Sequence, residues 1–244
     1  CPVYALEQRE SASPRGRNAI TRAVIEGRLT WSRDIERSIF SCLGCGACTA
    51  ACFPSVETRD LVMGDRACLA GEGLRPEAAH RLAGSIGKNH NISEEDNEER
   101  GDWREILRDV PEDAFEKASA EVVYFVGCVA SFFPMAQKIP GNMSRIMERA
   151  GVDFTILAGE EWCCGYPLIG AGMPEQMEAL KAHNLQRVRE TGAGAVVFTC
   201  PSCYHTWKTA YDAGVELLSA PEFLERLIRE KRLPLGALHA TVTY

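Results

Sequence analysis

Apolar residues recur every three to four positions over Arg17–Glu26, Ser32–Ser41 and Thr58–Ala70, which predicts amphipathic helices in the first third of the chain. Ser32, followed by Asp34 and Glu36, offers the capping side chain and early acids of a helix start. No segment there alternates apolar and polar residues as a strand would. Beyond residue 121 the pattern changes. Val122–Val126, Phe154–Leu157 and Ala195–Thr199 are short apolar runs rich in β-branched and aromatic residues, and read as buried strands. Helices are expected between them at Gly141–Ala150 and Pro174–Thr191, each closed by a glycine (Gly151, Gly192). A further helix is expected at Pro221–Lys231, with proline at its first position, and a last strand at Ala240–Tyr244. Strand alternating with helix predicts a parallel α/β sheet.

Between these patterns, residues 84–120 are polar and carry Glu94, Glu95, Asp96, Glu98 and Glu99. The expectation is an acidic, solvated linker with a short helix near Trp103–Arg108. The fold class is therefore α+β with two domains: an all-α domain over 1–83, the linker over 84–120, and an α/β domain with a mostly parallel sheet over 121–244. A chain of 244 residues is long enough for each domain to bury a core. With 45% apolar residues, 25% charged residues and a net charge of −7, it is neither a disordered polymer nor a basic nucleic-acid binder. No apolar run is long enough to span a membrane. No glycine-rich dinucleotide fingerprint follows a strand and no phosphate-binding loop is present, so electrons must come from and go to partners.

Eleven cysteines change the picture. An odd number scattered over this length is a poor fit to a secreted disulfide scaffold. Cys42, Cys45, Cys48 and Cys52 have the C-x₂-C-x₂-C-x₃-C spacing of bacterial ferredoxins, and Gly44 and Gly46 let the backbone approach a cluster closely. The fourth cysteine of such a run commonly serves another cluster, and the first then borrows a cysteine that precedes a proline. Cys1-Pro2 meets that need, so Cys1, Cys42, Cys45 and Cys48 are expected to hold one [4Fe–4S] cubane. Cys52 would serve a second cluster whose own run lies upstream of this chain. Its proline is displaced by one position, as Cys52-Phe53-Pro54. A zinc site or buried thiols would use the same residues. Cys68 sits in a helical pattern and reads as a small buried side chain.

Cys128, the pair Cys163-Cys164, and Cys200 and Cys203 each fall just beyond a predicted strand. In an open parallel sheet such loops converge at one edge. Five thiols exceed the four ligands of a zinc tetrahedron and suit a polynuclear iron–sulfur centre. Gly127-Cys128, Glu161-Trp162-Cys163-Cys164-Gly165 and Cys200-Pro201-Ser202-Cys203 resemble the cysteine-rich CCG domain of heterodisulfide reductase catalytic subunits, most closely those of the D type. The first third resembles that family's helical ferredoxin domain, through Cys1-Pro2, Ser13-Pro14-Arg15-Gly16-Arg17 and the Cys42–Cys52 run.

The resemblance implies that Cys128, Cys163, Cys164, Cys200 and Cys203 ligate a non-cubane [4Fe–4S] cluster and are the catalytic residues. It further implies a disulfide oxidoreductase working within a complex, with electrons passing from the cubanes to the CCG site. Partners would be other redox subunits (a flavoprotein or a membrane cytochrome b) and a thiol or disulfide substrate. The expected location is cytoplasmic or peripheral at the inner membrane face. A second CCG motif, which the family carries, is expected beyond residue 244. The alternative is an electron-transfer iron–sulfur subunit of a glycolate, lactate or glycerol-3-phosphate dehydrogenase complex, without a substrate of its own. Tyr204, His205 and Trp207 read as core residues at a helix start, and Trp162 as a shield for the cluster. Arg15 and Arg17 are candidates for offsetting cluster charge or capping a helix. His80, His90, His183 and His239 show no metal-ligand spacing.

Overall fold

Serines start two helices of the first third, as their side chains reach free backbone donors. Ser13 accepts from the Gly16 N–H at 2.9 Å ahead of α2 (Pro14–Ile25), and Ser32 accepts from the Ile35 N–H ahead of α3 (Arg33–Phe40). The computed structural model describes residues 1–107, 110, 115, 117–236 and 240–241. Short α1 (Pro2–Glu7) and α4 (Ala47–Ala50), then α5 (Thr58–Gly71) and α6 (Glu77–Asn89), complete the series. Ile35 and Ile39 of α3 pack with Val62 and Leu69 of α5. Thr21 of α2 donates to the buried Asp65 carboxylate of α5 at 2.5 Å. Because α5 buries Val62, Asp65, Arg66 and Leu69, Cys68 falls on its opposite face and is exposed rather than buried.

The sheet is parallel throughout. β1 (Val122–Phe125) pairs with β2 (Phe154–Thr155) on one side and β3 (Ala195–Phe198) on the other, and β3 pairs with β4 (Glu216–Ser219), giving the order β2-β1-β3-β4. Every residue of β1 and β3 is buried, which is why both read as unbroken apolar runs. Helices α7 (Cys128–Phe132), α8 (Lys138–Arg149), α10 (Met177–Glu190), α11 (Pro201–Ala210) and α12 (Ala220–Arg229) follow or link the strands, with short α9 (Tyr166–Gly170) ahead of α10. On one face Met143, Met147, Phe154 and Leu227 close a core with Tyr124 and Val197. Phe125, Phe198 and Trp207 meet at tilted or edge-on angles, and Trp207 stacks on Tyr211.

Several elements differ from expectation. β2 is shorter than the Phe154–Leu157 run. The chain over Pro174–Gln176 is a 3₁₀ turn before α10 begins. β4 has no signature in the sequence, because this edge strand fully buries only Leu218. Of the strand expected at Ala240–Tyr244, only Ala240 and Thr241 are described, and neither is in a strand. Within 84–120, α6 extends to Asn89 and a 3₁₀ helix covers Asn97–Ile106, while Arg108 lies outside the described residues. This polar stretch buries Arg100 and Trp103, and the Trp103 ring meets Phe115 edge-on at 5.7 Å.

The chain divides into two compact units, Cys1–Lys88 with Gly165–Ala179, and Asn89–Cys164 with Leu180–Tyr244. No helix among the described residues is long and apolar enough to cross a membrane.

A capping box anchors α12 to β4: the Ser219 hydroxyl and backbone N–H both meet the Glu222 carboxylate, at 2.7 and 2.8 Å. The Ser219 side chain and backbone N–H, helped by Tyr204, hold the Glu222 pKa down to about 2 from 4.5. A depressed carboxylate stabilises the fold above its unfolded pKa, and that contribution disappears as pH falls from about 4.5 to about 2. Ser219→Ala should cost about 1 kcal/mol in urea unfolding at neutral pH. The difference from wild type should shrink across that acid window.

Candidate metal centres

In the first unit, Cys42, Cys45 and Cys48 lie on one turn that Gly46 closes at φ +71°, a conformation that favours glycine. Cys1, Cys42, Cys45 and Cys48 line one small pocket together with Arg17 and Arg59. Cys52 is absent from its lining and faces a separate open groove with Tyr4, Arg15 and Asn18, which Cys48 also borders. Arg66 fastens the turn from behind, donating to the Cys42 carbonyl at 2.5 Å and to the Gly170 carbonyl at 2.9 Å. Arg17 is buried. It donates to the Ser38 carbonyl at 2.9 Å and the Ser41 hydroxyl at 3.0 Å, with Nη1 4.0 Å from the Cys1 sulfur. Arg15 is exposed and pairs with Glu10 at 2.8 Å.

The second set owes its position to sheet topology. After β1 the chain leaves toward β2 on one side, and later returns to form β3 on the other. The carboxyl ends of β1 and β3 thus flank the switch point, where open α/β sheets bind ligands. Cys128 begins α7 just after β1, and Cys200 caps α11 just after β3. The Cys163-Cys164 pair arrives from the loop after β2. The thiols meet pairwise: Cys128 hydrogen-bonds Cys163, and Cys203 hydrogen-bonds both Cys164 and Cys200. Gly127 leaves room for them. At φ +82° it holds a backbone shape that side chains resist, and a Cβ there would stand 3.1 Å from the Cys203 sulfur.

The thiols differ in acidity. Hydrogen bonding from Cys203, with the N–H groups of Cys203 and Ser202, brings Cys200 down to about 6 against the effect of burial. Cys128 is pushed up by donating to Cys163 and by burial, with Arg100 opposing. Cys203 is pushed up by its hydrogen bonding with Cys164 and Cys200 and by burial.

Polar side chains hold the loops, and of these only Glu161 lies in a motif legible in the sequence. Arg100 donates to Glu161 at 2.7 Å and to the Cys128 sulfur at 3.2 Å, and both charged residues are 1% exposed. The Glu161 carboxylate accepts the Val126 and Gly127 N–H groups at 2.7 and 2.8 Å, fixing the turn into Cys128. Asn184, fully buried, clamps the other loop. Its Oδ1 accepts the Trp162 N–H at 2.9 Å, and its Nδ2 donates to the Trp162 carbonyl at 3.1 Å. The Tyr211 hydroxyl donates to the Cys164 carbonyl at 3.1 Å. The rings of His90 and His183 sandwich Trp162 at 3.5 and 3.7 Å. Trp207 is buried as the helix pattern implies, whereas His205 is exposed.

Among the described residues, no three His, Cys, Asp or Glu side chains surround a single metal ion. The pairwise chain of soft thiols, one of them acidic and one facing a buried cation, fits a polynuclear iron–sulfur group by its donor chemistry. Cys1, Cys42, Cys45 and Cys48, gathered on one pocket, fit such a group in the same way.

Residues 122–208 match the family described as CCG: Cysteine-rich domain. The chain is 28% identical over 270 residues to the D subunit of the dihydromethanophenazine:CoB–CoM heterodisulfide reductase of Methanosarcina mazei, covering 100% of this chain and 64% of that protein. It is 27% identical over 220 residues to the EtfAB:quinone oxidoreductase of Syntrophomonas wolfei subsp. wolfei, covering 86% and 30%. It is 37% identical over 91 residues to a probable glycolate oxidase iron-sulfur subunit of Bacillus subtilis, covering 34% and 20%. The chain thus spans just under two thirds of the length of the Methanosarcina relative, 64%. No solved structure matches it.

Asn184→Ala leaves the Trp162 N–H and carbonyl without their partner in a buried loop. It should cost about 1–3 kcal/mol in denaturant unfolding. Iron retained per chain after anaerobic desalting should fall with it.

Proposed function

From a chain that carries a CCG cysteine-rich domain, we propose an iron–sulfur oxidoreductase subunit of the heterodisulfide reductase type, with a disulfide as substrate. Cys128, Cys163, Cys164, Cys200 and Cys203 hold its catalytic non-cubane [4Fe–4S] group. Cys1, Cys42, Cys45 and Cys48 hold a ferredoxin-type [4Fe–4S] group, and Cys52 belongs to a further one. The observation that carries the reading is the meeting of the CCG thiols at the switch point of the sheet. In this reading the first set belongs to a helical module and the second to a CCG module.

An iron–sulfur cluster, when bound, supplies one-electron transfer. The reaction as a whole breaks one S–S bond, takes up two electrons from a partner redox subunit (a flavoprotein or a membrane cytochrome b), and takes up two protons to give two thiols. The chain's own part is to hold and shield. The Cys128, Cys163, Cys164 and Cys203 side chains are buried and keep water away, whereas Cys200 is only partly buried and is the thiol most open to an approaching sulfur compound. Asn184, Tyr211 and Glu161 keep the loops in place.

The relative named a probable glycolate oxidase iron-sulfur subunit favours a second reading, an electron-transfer subunit with no substrate of its own. One experiment separates the two. The chain purified without oxygen should contain iron and acid-labile sulfide, and oxidised samples should give an electron paramagnetic resonance signal that changes when a thiol is added. A signal indifferent to thiols leaves the relay function, and zinc without iron or sulfide dismisses both.

A further inference from the structure

Arg100 comes from the polar stretch before β1, outside the residues 122–208 that match the CCG family, yet its guanidinium reaches the thiol site. Resting on the iron–sulfur reading above, we propose that Arg100 is a positioning residue that raises the reduction potential of the group held at Cys128, with Glu161 as its opposing charge.

The geometry is specific. Arg100 Nη2 donates to the Cys128 sulfur at 3.2 Å, Nη1 to Glu161 Oε1 at 2.7 Å, and Nε to Asn97 Oδ1 at 3.3 Å. The Phe132 ring lies 5.3 Å from the guanidinium carbon. One planar fork therefore addresses sulfur, carboxylate and amide together, which a lysine ammonium does not reproduce in full. With both charged side chains 1% exposed, solvent screens neither, and each acts on the site at far more than its surface strength. A guanidinium keeps its proton even when buried, and the Glu161 carboxylate at 2.7 Å pairs with it.

The sign follows from charge. Reduction adds negative charge to whatever the thiolates hold. A cation donating a hydrogen bond to one of those sulfurs favours the reduced form, as hydrogen bonds to cluster sulfurs do in general. Glu161 opposes it, since its Oε1 accepts both from the guanidinium and from the Gly127 N–H beside Cys128. The pair thus biases the site by orientation, since its net charge is zero. Arg100→Gln should lower the potential, whereas the near-isosteric Glu161→Gln should raise it. Each change should shift the reduced-to-oxidised ratio at fixed ambient potential by roughly tenfold, about 59 mV for a one-electron couple.

The test is a potentiometric titration of the full chain, purified and reconstituted without oxygen, followed by electron paramagnetic resonance with iron counted per chain. The signal of the Cys42 set in the same titration is the internal reference. Wild type is compared with Arg100→Gln, Arg100→Lys and Glu161→Gln. Opposite shifts for the two Gln variants, with the retained charge of Arg100→Lys keeping it close to wild type, are the expected result. Should Arg100→Gln take up no iron, Arg100→Lys must restore both the iron and the potential, and Glu161→Gln must still raise it. Full iron with an unmoved potential in Arg100→Gln overturns the proposal alone. Shifts in the same direction, or iron loss that Arg100→Lys does not restore, reduce Arg100 to scaffolding and also overturn it. Wild type that binds no iron overturns the iron–sulfur reading first, and this proposal with it.

Discussion

The register between β1 and β3 is the constraint on which the second site depends. Val122 pairs with Ala195 and Phe125 with Phe198, so two parallel strands far apart in sequence end level with each other. The chain then has to turn at the same height on both, and each turn delivers a cysteine. Parallel pairing requires long crossovers, so the thiol pair after β2 and the thiols after β3 arrive from distant segments without any local motif joining them. A slip of one residue would turn the side chains of one strand to its other face and break this alignment. The buried aromatic packing of Phe125, Phe198 and Trp207 opposes such a slip.

Much of this is legible in the sequence. β1 and β3 are buried on both faces, so their composition alone marks them. Helix α3 announces itself by its capping serine, Ser32, whereas α2 begins at Pro14, ahead of the expected Arg17. The two cysteine sets separate by spacing, and Cys1, far from the others in sequence, lines the same pocket as Cys42, Cys45 and Cys48. Elsewhere the one-dimensional signal fails for physical reasons. An edge strand such as β4 needs little apolar surface. Cys68 has apolar neighbours on either side, yet the helical phase that buries Leu69 turns it outward. Arg100 and Asn184 are invisible because a polar residue in a polar stretch looks alike whether water or a buried partner satisfies it. Only folding brings Arg100 to Glu161, 61 residues away. The Glu161-Trp162 dipeptide ahead of the cysteine pair carries the one available hint, since an acid in that place needs a counter-charge.

Polar atoms do much of the work in the loops around the thiols. Apolar packing leaves a turn free to slide, whereas Asn184 and Glu161 each saturate several backbone groups and leave a loop one arrangement. Buried charge of this kind adds little net stability, because desolvation consumes most of the attraction. What it adds is direction: donors and acceptors aimed at particular sulfurs and amides. The stacked His90–Trp162–His183 rings complete the enclosure beside the cysteine pair.

The interleaving of the two units bears on how such a protein can be dissected or recombined. Gly165–Ala179 follows the cysteine pair directly in sequence but folds with the helices of the first third, where the Gly170 carbonyl accepts from Arg66 and a Cβ on Gly172 would strike the Arg66 backbone at 2.2 Å. No single cut separates the modules. A break after residue 88 deprives the helical module of a segment that it packs against, and leaves that segment stranded inside the other. A recombinant that exchanges either module must therefore take Gly165–Ala179 from the parent that supplies Cys1–Lys88.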